Sequence, residues 1–255
     1  MAAWARRSRD GVFARTVLIS AAFALFFGLT QFASARPLLD FAGDTGVPSA
    51  PVEPGGRHVL TGSIAQTDQT WTCRGPVDLD SVSVTMTTAV SARRGADAVH
   101  LEPGCTGRIR HLEVLTAAAD AVKVTEGVHD LAIDGGSVVC TAKLPTMHQD
   151  GIQVMGGERI TLRGLSINCG RPGESLINSN LFINQSGRSA KPPTDVVCVD
   201  CFLGGAAAHT ANIQNSVRSG VVSSTLCTAK YPKLTLTVGP LAVDPVDSDN
   251  VLGAC

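Results

Sequence analysis

The stretch Met147-His148-Gln149-Asp150-Gly151-Ile152-Gln153 sets an imidazole two residues ahead of a carboxylate and closes on an amide. Histidine exchanges its proton near neutral pH, so His148 is a candidate general base. Asp150, two residues on, is the other catalytic candidate. Such a pair suits removal of a C–H proton activated by a neighbouring carboxyl group. That reaction also needs a cation to neutralise the carboxylate; Lys123 and Arg163 are the candidates, with Gln153 to hold a hydroxyl. A structural role competes for Asp150, because an Asp at a turn accepts backbone N–H groups. Asp97 and Asp120 stand in matching contexts with no histidine beside them.

Those matching contexts are internal repeats. Asp97-Ala98-Val99-His100-Leu101 aligns with Asp120-Ala121-Val122-Lys123-Val124 and with Asp150-Gly151-Ile152-Gln153-Val154. A glycine follows each Asp by seven residues, at Gly104, Gly127 and Gly157. Ser179 to Ile183 and His209 to Ile213 extend the series, at successive spacings of 23, 30, 29 and 30 residues. A second alignment lays His129 to Cys140 (HDLAIDGGSVVC) over Glu158 to Cys169 (ERITLRGLSINC) at an offset of 29.

Each unit holds short runs of alternating apolar residues rich in Val, Ile, Leu and Thr, broken by Gly, Asn or Asp. Period-two alternation is a strand signal, and no apolar face of helical period extends over ten residues. Strands that find their partners a whole repeat away imply stacked turns. The fold expected is therefore all-β, a single-stranded right-handed parallel β-helix of roughly six to eight turns. A β-sandwich also spaces its strands evenly, but it does not predict residue-for-residue matches near offset 29. Stacking makes columns of outward residues: His100, Lys123, Gln153, Phe182 and Asn212 in one, and Asp134, Arg163 and Asp200 in another. The first column suits an extended polymer, with His100, Lys123, Gln153, Arg163 and Phe182 as substrate-binding candidates. The charges of the second also suit a structural ladder of ion pairs. The insertion Thr141 to His148 lengthens one turn and places His148 where solenoids build a binding edge.

The motif from His148 to Gln153, with the run from Gly156 to Ile167 (GGERITLRGLSI), resembles the pectin-lyase-like superfamily of parallel β-helices. That resemblance implies a protein that cleaves or binds acidic polysaccharides as lyase, hydrolase or epimerase. Residue by residue it reaches His148, Asp150 and Gln153. An adjacent Asp pair, Gly-His-Gly and Arg-x-Lys, which complete the polygalacturonase site, are absent from the sequence, so a lyase is favoured over a hydrolase. The acidic cluster of calcium-dependent lyases is not evident from the sequence; Ca2+ stays open, and no metal or cofactor is expected. The alternative is a non-catalytic glycan-binding or cell-surface structural protein. Five aromatic residues (Phe41, Trp71, Phe182, Phe202 and Tyr231) follow the N-terminal segment, few for stacking sugars.

Residues 1–35 read as a signal peptide: Arg6, Arg7, Arg9 and Arg15, the apolar run Thr16 to Thr30, then Ala33-Ser34-Ala35 as the cleavage site. Cleavage after Ala35 would give a secreted chain with no membrane span. Residues 36–58 read as a flexible lead-in and 59–255 as the β-helix. The secreted part carries 17 basic and 21 acidic side chains, net −4, which argues against nucleic acid as partner. The partner expected is an extracellular polysaccharide and the state a monomer. All eight cysteines follow the signal segment, as in a disulfide framework. Stacked strands lie about 4.8 Å apart, within disulfide reach, so Cys140 is expected to bond Cys169. Cys73–Cys105 is the next bridge expected; Cys198, Cys201, Cys227 and Cys255 share the rest in an open pairing.

Overall fold

The computed structural model describes residues 58–87, 96–116, 119–141, 148–170, 177–185, 188–205, 207–227 and 235–253. The chain divides into a unit of residues 1–51, outside the described residues, and a unit of residues 52–255 that holds the fold. The expected signal peptide, nearly all of the lead-in, residues 142–147 of the insertion, and Cys255 lie outside the described residues.

The described residues form an all-β solenoid, a parallel β-helix with no helix among them. Two sheets wind along the chain, one of seven strands and one of twelve. Every strand pair is parallel. Trp71–Cys73, Val99–Leu101, Val122–Val124, Asp150–Val154, Ser179–Ile183, His209–Ile213 and Leu236–Val238 stack in sequence order to make the smaller sheet. In the larger sheet the long strands His129–Cys140 and Glu158–Cys169 lie side by side, with Glu158 opposite His129 and Cys169 opposite Cys140. That register is the 29-residue offset read from the sequence.

Alternation explains the arrangement. Within Leu112–Thr116 and Thr194–Val199, residues pointing inward are buried and their neighbours are not. The inward residues of successive turns stack into one continuous core, with Leu79, Ile109, Leu131, Ile133, Ile160, Leu162 and Ile167 fully enclosed. Burying each such side chain contributes about 1.5–3 kcal/mol, and each turn supplies the wall on which the next rests. Trp71 packs in the same core.

Disulfides join Cys73 to Cys105 and Cys140 to Cys169, with Cα separations of 5.4 and 4.3 Å. Cys198 bonds Cys201 within one turn; Cys227 is also disulfide-bonded.

One expected column needs correction. Arg163 stands opposite Asp134 on one side and Val199, not Asp200, on the other. The strand ends at Val199; Asp200 turns the corner in the left-handed region, at φ 53°. Asp and Asn tolerate that region better than most residues.

Candidate functional site

The smaller sheet carries the site. Register puts Thr72, His100, Lys123, Gln153, Phe182, Asn212 and Thr237 in one column, one residue per turn. At the strand entrances, Asp150, Ser179 and His209 pair in register. Backbone bonds from Ala98 N to Asp120 O and from Ala121 N to Asp150 O carry Asp97 and Asp120 into the same column. Residues separated by 53 positions in the chain thus converge.

Lys123 Nζ lies 3.0 Å from Asp120 Oδ2 and 3.6 Å from Asp97 Oδ2. Asp120 Oδ1 accepts the backbone N–H of Asp150 at 2.7 Å, the structural task anticipated for an Asp at this position. Asp150 is enclosed. Its carboxylate accepts from Asn178 Nδ2 at 2.8 Å and Gln153 Nε2 at 3.2 Å, and meets His148 Nδ1 at 3.1 Å. One ligand atom each from Asp120, His148 and Asp150 fall within 4.8 Å of one another. The imidazole, whose side chain is 57% exposed, leans toward the Phe182 ring at a centroid separation of 6.3 Å.

Gly151 lets this strand lie so close. A Cβ there would stand 2.4 Å from Asn180 O, 2.7 Å from Ile167 Cγ2 and 2.9 Å from Cys169 Sγ. The Asp-Gly pair therefore joins a site carboxylate to a point of closest contact with the core.

Burial sets the electrostatics. It pushes the Asp120 carboxyl up to about 6; Lys123 opposes the shift and the Asp150 and Asp97 carboxylates reinforce it. Asp97 is raised by burial too, against the pull of Lys123. Burial also works against the Lys123 ammonium, but Asp120 and Asp97 outweigh it and hold its pKa above the ordinary value. His209 is lowered by burial and raised in part by Asp150.

A groove of about 450 Å³ runs beside the cluster, lined by Asp97, His100, Lys123, Glu126, Met155 and Arg188 among others. Its wall is a segment that reaches back over earlier turns. Ser189 Oγ donates to Met155 O at 2.8 Å, and Ala190 N donates to Glu126 Oε2 at 2.8 Å, 64 residues away.

Three comparisons, with protein-family models, with curated proteins and with solved structures, find no match to this chain.

The structure brings His148, Asp150, Lys123, Gln153 and Phe182 together, with His100 along the groove. It does not bring Arg163. That side chain belongs to the larger sheet, where it faces Asp134 at 3.5 Å, and Asp134 also bonds Arg108 at 2.7 Å. Arg163 sits in a ladder of ion pairs because its strand lies on a different sheet. Gln153 is 8% exposed and spends its amide on Asp150, so it orients the carboxylate and does not meet solvent.

Sequence reading missed Arg188, Asn178 and the ion pair that Asp120 makes with Lys123. Asp120 was legible in principle, since it shares the repeat position of Asp150. Arg188 carried no signal, because it lies in a connection that matches no repeat. Among the described residues no helix is long and apolar enough to cross a membrane.

Proposed function

We propose that the protein is a secreted β-helix of the pectin-lyase-like kind that acts on a uronate-containing extracellular polysaccharide by β-elimination. The observation that carries this reading is which members of the cluster can touch a polymer. The Asp120 and Asp150 side chains are 4% and 0% exposed, whereas that of His148 is open. Glycoside hydrolysis needs two carboxyl groups flanking the scissile bond, and buried carboxylates cannot flank a sugar. An imidazole braced from below can take a proton from one.

In this mechanism Asp150 accepts the Nδ1–H of His148, which leaves a lone pair on Nε2 of the exposed ring. That is the orienting logic of a histidine base held by a carboxylate. Nε2 takes the proton beside the uronate carboxyl group, the bond from the neighbouring carbon to the glycosidic oxygen breaks, and a carbon–carbon double bond forms. The proton on the imidazolium passes to the departing oxygen. Arg188, with Lys123 beside it, supplies positive charge for the uronate carboxylate, and Phe182 offers an apolar edge for a sugar ring. The disulfides suit an oxidising compartment, in keeping with export and cleavage after Ala35.

The engagement of Lys123 by two carboxylates favours a second reading, in which the same face binds a glycan without cleaving it. Absorbance separates the two, since the unsaturated product absorbs at about 232 nm through its new conjugated double bond. Across a panel of uronate polymers, one should give a rising signal that His148→Ala abolishes while the circular dichroism stays unchanged. Full activity in that variant would remove His148 from the mechanism. Binding with no rise on any polymer would leave the second reading.

A further inference from the structure

We propose that Asp120, His148, Asp150 and Gln153 form a binding site for one divalent transition-metal ion, of the Zn2+ or Mn2+ class. Two independent observations converge. The first is the triad itself, two buried carboxylates and an imidazole nitrogen with ligand atoms within 4.8 Å of one another. The second is Gln153. It is more than nine-tenths buried, its amide lies against Asp150 Oδ2, and its Oε1 has no hydrogen-bond partner. A buried amide oxygen left unsatisfied is costly. The assignment of an amide's oxygen and nitrogen follows from the surrounding network. Turned over, the Gln153 amide would place its oxygen beside Asp150 Oδ2, where a cation would hold both oxygens, and its Nε2 where the unpaired Oε1 now lies.

Charge points the same way. Asp97, Asp120 and Asp150 crowd one column, and Lys123 bonds the first two. Asp150 is met by two neutral amides and an imidazole. A buried carboxylate so surrounded gains from a full positive charge close by. The donor set decides the kind of metal. Ca2+ takes six to eight oxygen ligands, whereas an imidazole nitrogen with carboxylate and amide oxygens suits Zn2+ or Mn2+. The exposed side of His148 leaves room for water or a substrate oxygen in the remaining positions.

Occupancy would also regulate the site, and this consequence alone rests on the elimination reading. A metal on Nδ1 displaces the single ring proton, which passes through solvent to Nε2. The outward nitrogen then has no lone pair, and proton abstraction stops until the metal leaves.

Calorimetric titration of the EDTA-treated full chain with ZnCl2, MnCl2 and CaCl2 tests the site. One Zn2+ or Mn2+ per chain is expected, with Ca2+ weaker. His148→Ala and Asp120→Asn should each weaken binding by roughly tenfold or more. His111→Ala, outside the cluster, should leave it unchanged. No saturable binding, wild-type affinity in both cluster variants, or tighter Ca2+ than Zn2+ and Mn2+ would overturn the proposal. Retained circular dichroism shows that each variant folds, and the surface position of His148 makes it the safer of the two. If metal binds as expected but the metal-free chain cleaves no uronate polymer, the elimination reading fails and the site stands. If the chain cleaves but binds no metal, the site fails alone.

Discussion

Asp120 holds its proton more tightly in the folded chain than in the unfolded one, where a free aspartate titrates near 3.9. Burial raises it to about 6, opposed by Lys123 and reinforced by Asp150 and Asp97, with His148 at the open side of the cluster. The sign follows from proton linkage. A carboxyl with a raised folded pKa contributes stability that is fully present below about pH 4 and is lost as pH climbs through 6. The amount is on the order of 2–3 kcal/mol for a shift of this size. His209, lowered by burial, works in the opposite direction as pH falls below its unfolded value. The comparison that isolates Asp120 is therefore between variants. In the metal-free chain, Asp120→Asn should flatten the decline in urea-unfolding free energy between pH 4 and pH 7. Parallel pH curves for the two proteins would contradict the assignment.

At the scale of the strand, Gly151 ties the site to the core. The position admits no side chain, because Asn180 O, Ile167 and Cys169 already occupy the space a Cβ would need. Gly151→Ala should cost about 1–3 kcal/mol through overpacking and displace Asp150 from beneath His148. Equilibrium denaturation measures the first effect and loss of cleavage or metal binding the second; an unperturbed variant would mean that the strand can shift freely. The same strand shows what the sequence disclosed. Apolar alternation and the 29-residue offset fixed the partners of Ile152 and Ile160, because inward residues must stack on their own kind. They also placed Lys123 and Gln153 in one column. They could not say that Gln153 folds down on Asp150 while His148 stays out, since that depends on side-chain conformation. Nor could they separate the two sheets, so Arg163 looked like a neighbour of Lys123 when it belongs to another wall. Asp200 failed for a related reason: it is the corner residue one past Val199, the actual partner of Arg163.

For the whole molecule, nearest-neighbour stacking sets how stability is distributed. In a solenoid each turn draws on the turns above and below it. Glu158–Cys169 has partners on both sides, His129–Cys140 on one and Thr194–Val199 with Phe202–Gly205 on the other. Val246–Ser248 and Val251–Gly253 each pair on one side among the described residues, and Leu241, Val243, Val251 and Leu252 stand exposed near them. Local opening should therefore be easiest there and hardest in the middle. The candidate site occupies that middle, between Asp120 and Phe182, beside the Cys140–Cys169 bridge. The proposed base and its carboxylate need geometry fixed in advance, which a stiff central turn supplies. Hydrogen exchange should show the amides of Asp150 to Val154 protected like those of Ile160 to Ile167, and both far more than those of Leu236 to Gly253. If the site strand exchanged as fast as the last strands, stacking would not be what preorganises the His148–Asp150 pair.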